Sequence, residues 1–404
     1  MGRLLRGGVA GGAGCGSRMI YTTEQVIFWL SVGVLAYVYA GYPLVVYLAA
    51  RIIAKPLRRR DVEPTVTVLI TAFNEEGSIR EKIENTLAIE YPREKLEILV
   101  ASDGSTDRTD EIVRELTDRG IKLFRQEGRL GKTVTQNNAV AQSTGEIILF
   151  SDATTEYSPD VLRRVLPAFA DETVGCVAGR LIYVDSGENS VGAGAKSYWG
   201  YETFIKSAES DACSLIGASG CLYAVRRQAY RPMYAEACSD FLICTELYRQ
   251  GLRSVFEPDA VCFEHTNSKT DDEFRMRVRV ISQTFTDLWR NADMMNPFKS
   301  GFYAVQLVSH KVLRYAVPFL LLAVFAASAV LAMSSTIYLL AFTAQCVFYV
   351  MALGGWLVER AGRRVRLLVI PLYFVLANLA SVIAFVKFVR GERVVTWDPV
   401  RDVR

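Results

Sequence analysis

Residues 96–119 read LEILVASDGSTDRTDEIVRELTDR, and this stretch decides the fold class. It opens with Leu96 to Ala101, a short apolar run that predicts a buried strand. Asp103-Gly-Ser-Thr-Asp107 then predicts a turn, and a helix follows from about Thr109 to Arg119. A strand, a turn and a helix in this order form the repeating unit of a parallel sheet.

The same order recurs on both sides of this stretch. Val66 to Thr71, Ile121 to Phe124 and Ile147 to Ser151 predict three further strands between helical segments. Four strands alternating with helices predict an α/β domain with a mostly parallel sheet. In open sheets of this kind, ligands bind beyond the carboxyl ends of the strands. The polar residues that follow these strands are therefore expected to share one site.

Polar clusters follow three of the strands, at Phe73-Asn-Glu75, Asp103 and Asp152-Ala-Thr154. The Asp103 carboxylate can accept a hydrogen bond from a uracil-type N–H or a ribose hydroxyl, and the alternative is a turn aspartate that bonds its own backbone. A carboxylate at Asp152, after an apolar strand, is costly unless it meets a cation or the edge of a site. We expect a divalent cation to bridge Asp152 and a diphosphate.

The second half of the domain carries further candidates. Asp240 opens a predicted helix to about Gln250, where it is either a helix-capping carboxylate or a general base for a sugar hydroxyl. Arg275 and Arg279 share one face of a predicted helix from Asp272 to Arg290. They form either a solvent-exposed basic face or a pair of arginines that bind phosphate. Gly128-Arg-Leu-Gly-Lys132 predicts a flexible loop with two cationic side chains, which suits contacts with phosphate. His265 is a candidate metal ligand.

Three more strands are expected in this half, which is predicted to receive the acceptor. They are Val174 to Gly179, Leu215 to Val225 and Ala260 to Glu264.

Composition points to a membrane protein. Apolar residues make up 51% of the 404 residues, and the net charge of +3 gives no argument for a nucleic-acid partner. Uncharged runs of bilayer-spanning length predict four transmembrane helices. These are about Ile27 to Ala50, Val312 to Met333, Ile337 to Val358 and Leu367 to Val389. The eight cysteines show no zinc spacing and are expected to be reduced.

The domain organisation follows from these runs. We expect a disordered segment over 1–25, a transmembrane helix over 26–50, a catalytic domain over 61–300, an amphipathic interfacial helix over 301–315, three transmembrane helices over 316–390 of which the first begins near 312, and a tail over 391–404.

Basic residues give the orientation. Arg51, Lys55 and Arg58-Arg-Arg60 follow the first span and place the domain in the cytoplasm. Arg360 and Arg366, between the last two spans, agree with this orientation. Four crossings put the tail from Arg390 outside, unless one C-terminal segment is re-entrant or interfacial, and the sequence leaves this open.

Taken together, these segments resemble membrane-bound family 2 glycosyltransferases, the inverting group with the GT-A fold, over about residues 64–300. Thr71-Ala-Phe-Asn-Glu-Glu76 is similar to the family's opening segment, and Asp103-Gly-Ser-Thr-Asp107 to its nucleotide-binding segment. Gly131-Lys132 through Asn137 resembles a Gly-Lys…Asn stretch. Gly217-Ala-Ser-Gly220 resembles an acceptor-side glycine loop, and Asp240 falls where the family keeps its catalytic base.

The resemblance implies a role for each candidate residue. Asp240 is the implied base. The implied nucleotide-binding residues are Ala72, Phe73, Asn74, Glu75, Asp103, Lys132 and Asp152. The implied acceptor or diphosphate residues are Gly217, Ser219, Gly220, Arg275 and Arg279. The implied ligands of a divalent cation, Mn²⁺ or Mg²⁺, are Asp152, Thr154 and His265.

Three departures from the family pattern matter. The usual Asp-x-Asp is Asp152-Ala-Thr154, so Thr154, water or His265 has to replace the second carboxylate. Ser239 stands where an acidic residue usually precedes the base. The Gln-x-x-Arg-Trp segment is reduced to Met276-Arg-Val-Arg279-Val280, which favours the addition of one or a few sugars over processive synthesis. Trp397 resembles a tryptophan in a gating segment of such synthases, which requires a cytoplasmic tail.

The resulting expectation is an inverting glycosyltransferase in the inner membrane. It takes a nucleotide-sugar donor, with UDP-sugars favoured, and a lipid-linked saccharide or exopolysaccharide acceptor, in contact with membrane lipids. Two alternatives stay open. One is a processive polysaccharide synthase. The other is a catalytically silent nucleotide-binding scaffold, which the changes at Thr154 and Ser239 motivate.

Overall fold

The computed structural model describes residues 22–184, 190–265, 270–363 and 365–397. Most of the predicted disordered segment, and the last residues of the tail, lie outside these ranges. The domain is built on one eight-stranded sheet with the order β3-β2-β1-β4-β7-β6-β8-β5. Its strands are β1 Val66–Ala72, β2 Leu96–Ser102, β3 Ile121–Arg125, β4 Ile147–Asp152, β5 Glu156–Tyr157, β6 Val174–Val184, β7 Tyr223–Arg226 and β8 Arg253–His265.

Fourteen α-helices lie in the described part of the chain. They are α1 Thr23–Ala36, α2 Tyr42–Ile52, α3 Ile79–Leu87, α4 Thr109–Glu115, α5 Lys132–Gln142, α6 Val161–Val165, α7 Ser190–Ala212, α8 Ser239–Arg249, α9 Thr270–Arg290, α10 Pro297–Ser300, α11 Phe302–Leu307, α12 Leu313–Leu331, α13 Thr336–Arg360 and α14 Arg366–Val389.

The first half of the sheet is parallel, as predicted. β3, β2, β1 and β4 pair in parallel, while β7 runs antiparallel between β4 and β6. β6 and β8 pair in parallel, and β5 closes the edge in the antiparallel sense. The central parallel strands β1, β2 and β4 are buried on both faces, and every residue of β1 is buried. The predicted α/β class with a mostly parallel sheet is confirmed.

One prediction for the second half differs from the structure, and one helix was not predicted. Only the end of the expected strand from Leu215 to Val225 is extended, as β7, because the segment before it forms a loop around Gly217 and Gly220. The 23-residue helix α7 was not expected. It packs between the domain and α2, where Ile205 and Ala208 contact Tyr42.

Four helical segments are long and apolar enough to cross a membrane. They are Thr23–Ile52, Phe302–Leu331, Thr336–Arg360 and Arg366–Val389, with mean hydropathies of 1.7 to 2.3. The first two pass through a π turn, at Tyr37–Gly41 and Val308–Val312. The interfacial helix predicted over 301–315 is therefore no separate element; it is the beginning of the continuous helix that ends at Leu331.

Candidate active site

The carboxyl ends of three parallel strands bring the predicted clusters together. In the sheet register, Thr71 at the end of β1 lies beside Asp152 of β4, and Ala72 lies beside Ser102 of β2. Asp103 follows Ser102 directly. Asp103 and Asp152 therefore flank the end of β1 from opposite sides, as the strand pattern predicts.

The Asp103 carboxylate is fully buried and holds the Gly128–Lys132 loop. Its Oδ1 accepts hydrogen bonds from the backbone N–H groups of Leu130, at 2.8 Å, and Gly131, at 3.1 Å, and from the Thr135 hydroxyl at 2.9 Å. Oδ2 accepts a second contact from Gly131 N–H at 3.0 Å. Neither of the two earlier interpretations included this function. The predicted contact with a base remains a prediction.

The Phe73-Asn-Glu75 segment is joined to the Asp103–Asp107 turn. Asn74 has φ +55°, in the left-handed region that asparagine tolerates better than most residues. Its side-chain oxygen accepts hydrogen bonds from the backbone N–H of Thr106 at 2.7 Å and of Asp107 at 3.3 Å. Glu75 N–H donates to the Thr109 hydroxyl at 2.7 Å. These contacts fix the outer wall of the predicted nucleotide site.

Three charged groups converge over Gly220. Lys132, the first residue of α5, forms an ion pair with Asp152. A Cβ placed on Gly220 would lie 3.2 Å from Asp240 Oδ2, 3.4 Å from Lys132 Nζ and 3.6 Å from Asp152 Oδ2. Burial lowers the pKa of Lys132, but the negative charges of Asp152 and Asp240 raise it by more, so the pKa of this lysine lies above its ordinary value. Lys132 therefore stays protonated between two carboxylates.

Asp240 is held by its own helix and by the glycine loop. It lies in the first turn of α8, and its Oδ1 accepts from Phe241 N–H at 3.0 Å and from the Cys238 thiol at 3.0 Å. Its backbone carbonyl accepts from Ala218 N–H at 2.9 Å. These contacts leave Oδ2 as the oxygen directed towards Gly220, the position a general base needs at the mouth of a site.

A carboxylate that the sequence argument did not single out lies beside Asp152. Glu264 of β8 accepts a hydrogen bond from the Thr154 hydroxyl at 3.3 Å. Burial, and then the neighbouring charge of Asp152, raise the pKa of Glu264 to about 7. Asp152, Thr154 and Glu264 thus supply oxygen donors from two strands, the ligand type that Mn²⁺ and Mg²⁺ prefer.

The other predicted metal ligand is not settled by the structure. His265 ends β8, and its side chain lies outside the described residues. Within the described residues, no group of three or more histidine, cysteine, aspartate or glutamate side chains is arranged to hold a metal ion. Any cation at Asp152 would therefore also rely on Thr154, water or the diphosphate itself. This donor set fits a cation that arrives with its nucleotide.

A large cavity joins the charged cluster to the apolar helices. Its volume is about 1290 Å³, and it is lined by seven of the predicted site residues. These are Lys132, Asp152, Gly217, Ser219, Gly220, Asp240 and Arg279. The far wall is apolar and includes Val369, Ile370 and Phe374 of α14. The cavity thus connects the proposed base with side chains of a helix that is apolar enough to lie in a membrane.

One predicted residue is not part of this cavity. Arg275 lies near the start of α9 with 78% of its side chain exposed, and it forms an ion pair with Asp272. Arg277, two residues on, points the other way and lines the cavity, where it contacts Glu273 and Tyr373. The prediction that Arg275 joins Arg279 at the site therefore disagrees with the structure, because the helix turns Arg275 towards solvent.

A buried polar cluster lies at the membrane side of the cavity. His310 Nδ1 lies 2.8 Å from Glu209, and its Nε2 lies 3.2 Å from Glu202. Arg314 pairs with Glu202 at 3.0 Å, and the Tyr42 hydroxyl donates to Glu209. This cluster ties α7 to the first two apolar helices. The spacing of Glu202 and Glu209 on one face of α7 is the signal from which it could have been predicted.

Similarity to known proteins agrees with this geometry. Residues 67–233 match the family described as Glycosyl transferase family 2. A mannosyltransferase from Pyrobaculum calidifontis, solved in complex with GDP-Man and Mn²⁺, superposes with a TM-score of 0.71 at 23% identity, covering 91% of this chain and 100% of that one. The chain therefore has the GT-A fold, and residues 67–233 form a glycosyl transferase family 2 domain.

Two groups of relatives are similar over part of their length. A beta-monoglucosyldiacylglycerol synthase from Nostoc sp. is 34% identical over 130 residues, which is 31% of this chain and 28% of that protein. A poly-beta-1,6-N-acetyl-D-glucosamine synthase from Staphylococcus aureus is 25% identical over 221 residues, 53% of each chain. The chain thus matches between about a quarter and half of the length of these two relatives.

Proposed function

We propose that this protein is an inverting glycosyltransferase of the inner membrane, with its catalytic domain on the cytoplasmic side. It transfers one or a few sugars from a nucleotide-sugar, preferably a UDP-sugar, to a lipid-linked saccharide or a nascent exopolysaccharide. The observation that supports this most is the convergence of Asp240, Lys132 and Asp152 over Gly220, at the end of a cavity that continues to α14.

The positions of these groups suggest a division of labour. Asp240 Oδ2 accepts the proton of the acceptor hydroxyl, and the oxygen attacks the anomeric carbon as the bond from that carbon to the diphosphate breaks. Lys132 lies beside the leaving diphosphate and offsets the charge that develops on it. Attack from the side opposite the diphosphate inverts the anomeric centre.

A divalent cation belongs to this proposal. Mn²⁺ or Mg²⁺ would be held by Asp152, with Thr154 and Glu264 beside it, and would neutralise charge on the departing diphosphate. The ammonium group of Lys132 pairs with the Asp152 carboxylate, which lowers the cost of placing Asp152 and Asp240 close together inside the domain.

The cavity supports a lipid-linked acceptor in particular. A saccharide bound near Asp240 can keep its lipid portion against the apolar wall formed by Val369, Ile370 and Phe374. The relative from Nostoc sp. is named for a glucosyl lipid, in agreement with an acceptor of this kind. Because another relative is named for synthesis of poly-N-acetylglucosamine, processive synthesis is a second candidate function. The length of the product distinguishes it from the addition of one or a few sugars.

The silent scaffold has less support. It would be favoured if Asp240 were remote from Asp152, whereas both approach the same glycine.

The test compares the purified protein in detergent with two variants. UDP- and GDP-sugars are supplied with Mn²⁺ or Mg²⁺, with and without membrane lipid extract, and release of nucleoside diphosphate is measured. Asp240→Asn should lower the rate by about 10²–10⁴-fold while nucleotide affinity is kept. Asp118→Asn, at an exposed position, is the matched control and should behave as the wild type. Nucleotide binding without release from any donor would favour the silent scaffold.

A further inference from the structure

The segment after α14 returns to the catalytic domain. Gly391 turns the chain with φ +78°, and the carbonyl of Val394 accepts a hydrogen bond from Gln283 of α9 at 3.1 Å. Arg129, in the Gly128–Lys132 loop, donates to the carbonyl of Trp397. The Trp397 ring lies 5.9 Å from that of Phe73, between centroids. The tail therefore lies against the loop that Asp103 holds.

These contacts limit where α14 can end. Five residues lead from Val389, the end of α14, to Val394, and a fully extended chain of that length reaches at most about 18 Å. The hydrocarbon core of a bilayer is about 30 Å thick. The end of α14 and the catalytic domain therefore cannot lie on opposite sides of the membrane.

The length of α14 also lies along a helix of the domain. Tyr373, near its start, contacts Arg277 of α9. Phe385 and Phe388, near its end, both lie 5.8 Å from Phe285 of α9. The two helices thus run side by side in the same direction. α9 carries six charged residues in its first ten positions and is anchored to the domain, since Asp287 accepts from Cys238 N–H at 3.0 Å. A helix with this composition does not cross a bilayer.

The other apolar helices show the opposite arrangement. The short connection between α12 and α13 lies at the far end from the domain, because Tyr338, just after it, contacts Phe28 at 5.0 Å and accepts a hydrogen bond from Trp29. Phe28 and Trp29 lie near the start of the first span. α12 and α13 therefore run the full distance from the domain to the far end and back.

We propose that the chain crosses the membrane three times and that α14 lies along the domain side of the bilayer. Its exposed face, which includes Leu367 at 72% and Val389 at 66% exposure, contacts the acyl chains and head groups of that leaflet. The other face closes the cavity, and the tail covers the nucleotide-binding loop. With three crossings the tail lies on the side of the catalytic domain, whereas four crossings would place it on the opposite side.

The arginines around the α13–α14 connection agree with three crossings. Arg360 and Arg366 flank this connection, and both lie on the domain side in this topology. Positive charge accumulates on the cytoplasmic side of membrane proteins, the side to which Arg51 and Lys55 already assign the domain. The inference does not depend on the proposed reaction, because it uses only the connection of helices and tail.

Membrane-impermeant maleimide labelling tests it in full-length protein. Single cysteines are introduced at exposed positions: Arg108→Cys in the domain, Ser334→Cys in the α12–α13 connection and Glu392→Cys in the tail. Unmodified protein gives the background, since the native cysteines in the described part of the chain are buried or half-buried. Labelling of inverted and right-side-out vesicles is compared.

Three crossings predict that Arg108→Cys and Glu392→Cys are labelled in inverted vesicles and lose their labelling in right-side-out vesicles, whereas Ser334→Cys shows the reverse. Labelling of Glu392→Cys together with Ser334→Cys would overturn the proposal. If the tail shields position 392 from the reagent, an epitope tag after Arg404 decides the matter. A tag cleaved by external protease only in inverted vesicles supports the proposal, and one cleaved only in right-side-out vesicles refutes it.

Discussion

Gly220→Ala probes the space in which the proposed reaction takes place. The new methyl carbon would lie 3.2 Å from Asp240 Oδ2, 3.4 Å from Lys132 Nζ and 3.6 Å from Asp152 Oδ2. Only the first distance is tighter than ordinary contact, so a shift of a few tenths of an ångström accommodates the methyl group. Gly220 has no positive φ that would forbid alanine. The change in the free energy of unfolding should stay within about 1 kcal/mol.

The effect on turnover should be much larger than the effect on stability. An acceptor oxygen has to approach Asp240 Oδ2 to within about 2.6–3.2 Å, in the region that the methyl group fills. A displacement of about 1 Å at a reacting centre costs on the order of 10²-fold in rate. This corresponds to about 2.7 kcal/mol in the activation free energy. We expect kcat for sugar transfer from Gly220→Ala to fall by about 10²-fold.

Three measurements separate these effects: the initial rate of nucleoside diphosphate release, nucleotide affinity by calorimetry, and Tm in detergent. Nucleotide affinity should change little, because the methyl group lies at ordinary contact distance from Lys132 Nζ and Asp152 Oδ2. Gly200→Ala is the control, since a Cβ there meets nothing within 4 Å. Wild-type turnover by Gly220→Ala with an unchanged Tm would refute the placement of the reaction between Asp240 and Asp152.

Three further predictions concern Asp103, the tail residue Trp397, and Lys82, a buried lysine of α3 that donates to the carbonyl of Thr155 at 2.7 Å. Asp103→Asn replaces an acceptor of Gly131 N–H by a donor or a weaker acceptor, so it should destabilise the protein by about 2 kcal/mol in denaturation and weaken nucleotide binding about tenfold. Burial lowers the pKa of Lys82 from 10.5 to about 7, so between pH 7 and pH 10.5 the folded state binds fewer protons than the unfolded state. Tm should therefore rise with pH in this range. Lys82→Met should abolish the rise, and a rise of equal size in the variant would contradict the assignment. Trp397→Ala should raise the KM for the donor by about two- to tenfold with little change in kcat, whereas Trp397→Phe should keep most of the affinity. Equal KM values for the wild type and both variants would show that the tail does not cover the bound nucleotide.

The first half of the fold follows from local pattern, whereas the second half does not. The strands from Val66 to Asp152 are short apolar runs ending in turn residues, and each lies within two residues of its predicted bounds. Leu215 to Val225 is just as apolar, but Gly217 and Gly220 form a loop there instead of extended backbone. β5 has only two residues and exists because β8 passes beside it. Such pairing over long sequence distances leaves no local signal.

The same distinction applies to the site. Asp103, Asp152 and Asp240 were predicted from their positions at the ends of strands and helices. Their distances could not be, because Gly220 brings Asp240 to Asp152 only once α8 has packed against the loop before β7. Glu264 was missed because its role depends on the return of β8 to the edge beside Thr154.

The position of Glu264 changes the meaning of the altered Asp-Ala-Thr segment. Loss of the second carboxylate at position 154 motivated the silent scaffold, since a lone Asp152 is a poor cation ligand. The structure places a second carboxylate at this point from another strand, with the Thr154 hydroxyl donating to it. Burial and the charge of Asp152 raise the pKa of Glu264 to about 7, so this carboxyl group can lose its proton near neutral pH and then face a divalent cation beside Asp152. We therefore propose that Glu264 takes the place of the carboxylate missing at position 154, in which case the substitution gives no reason to expect an inactive protein.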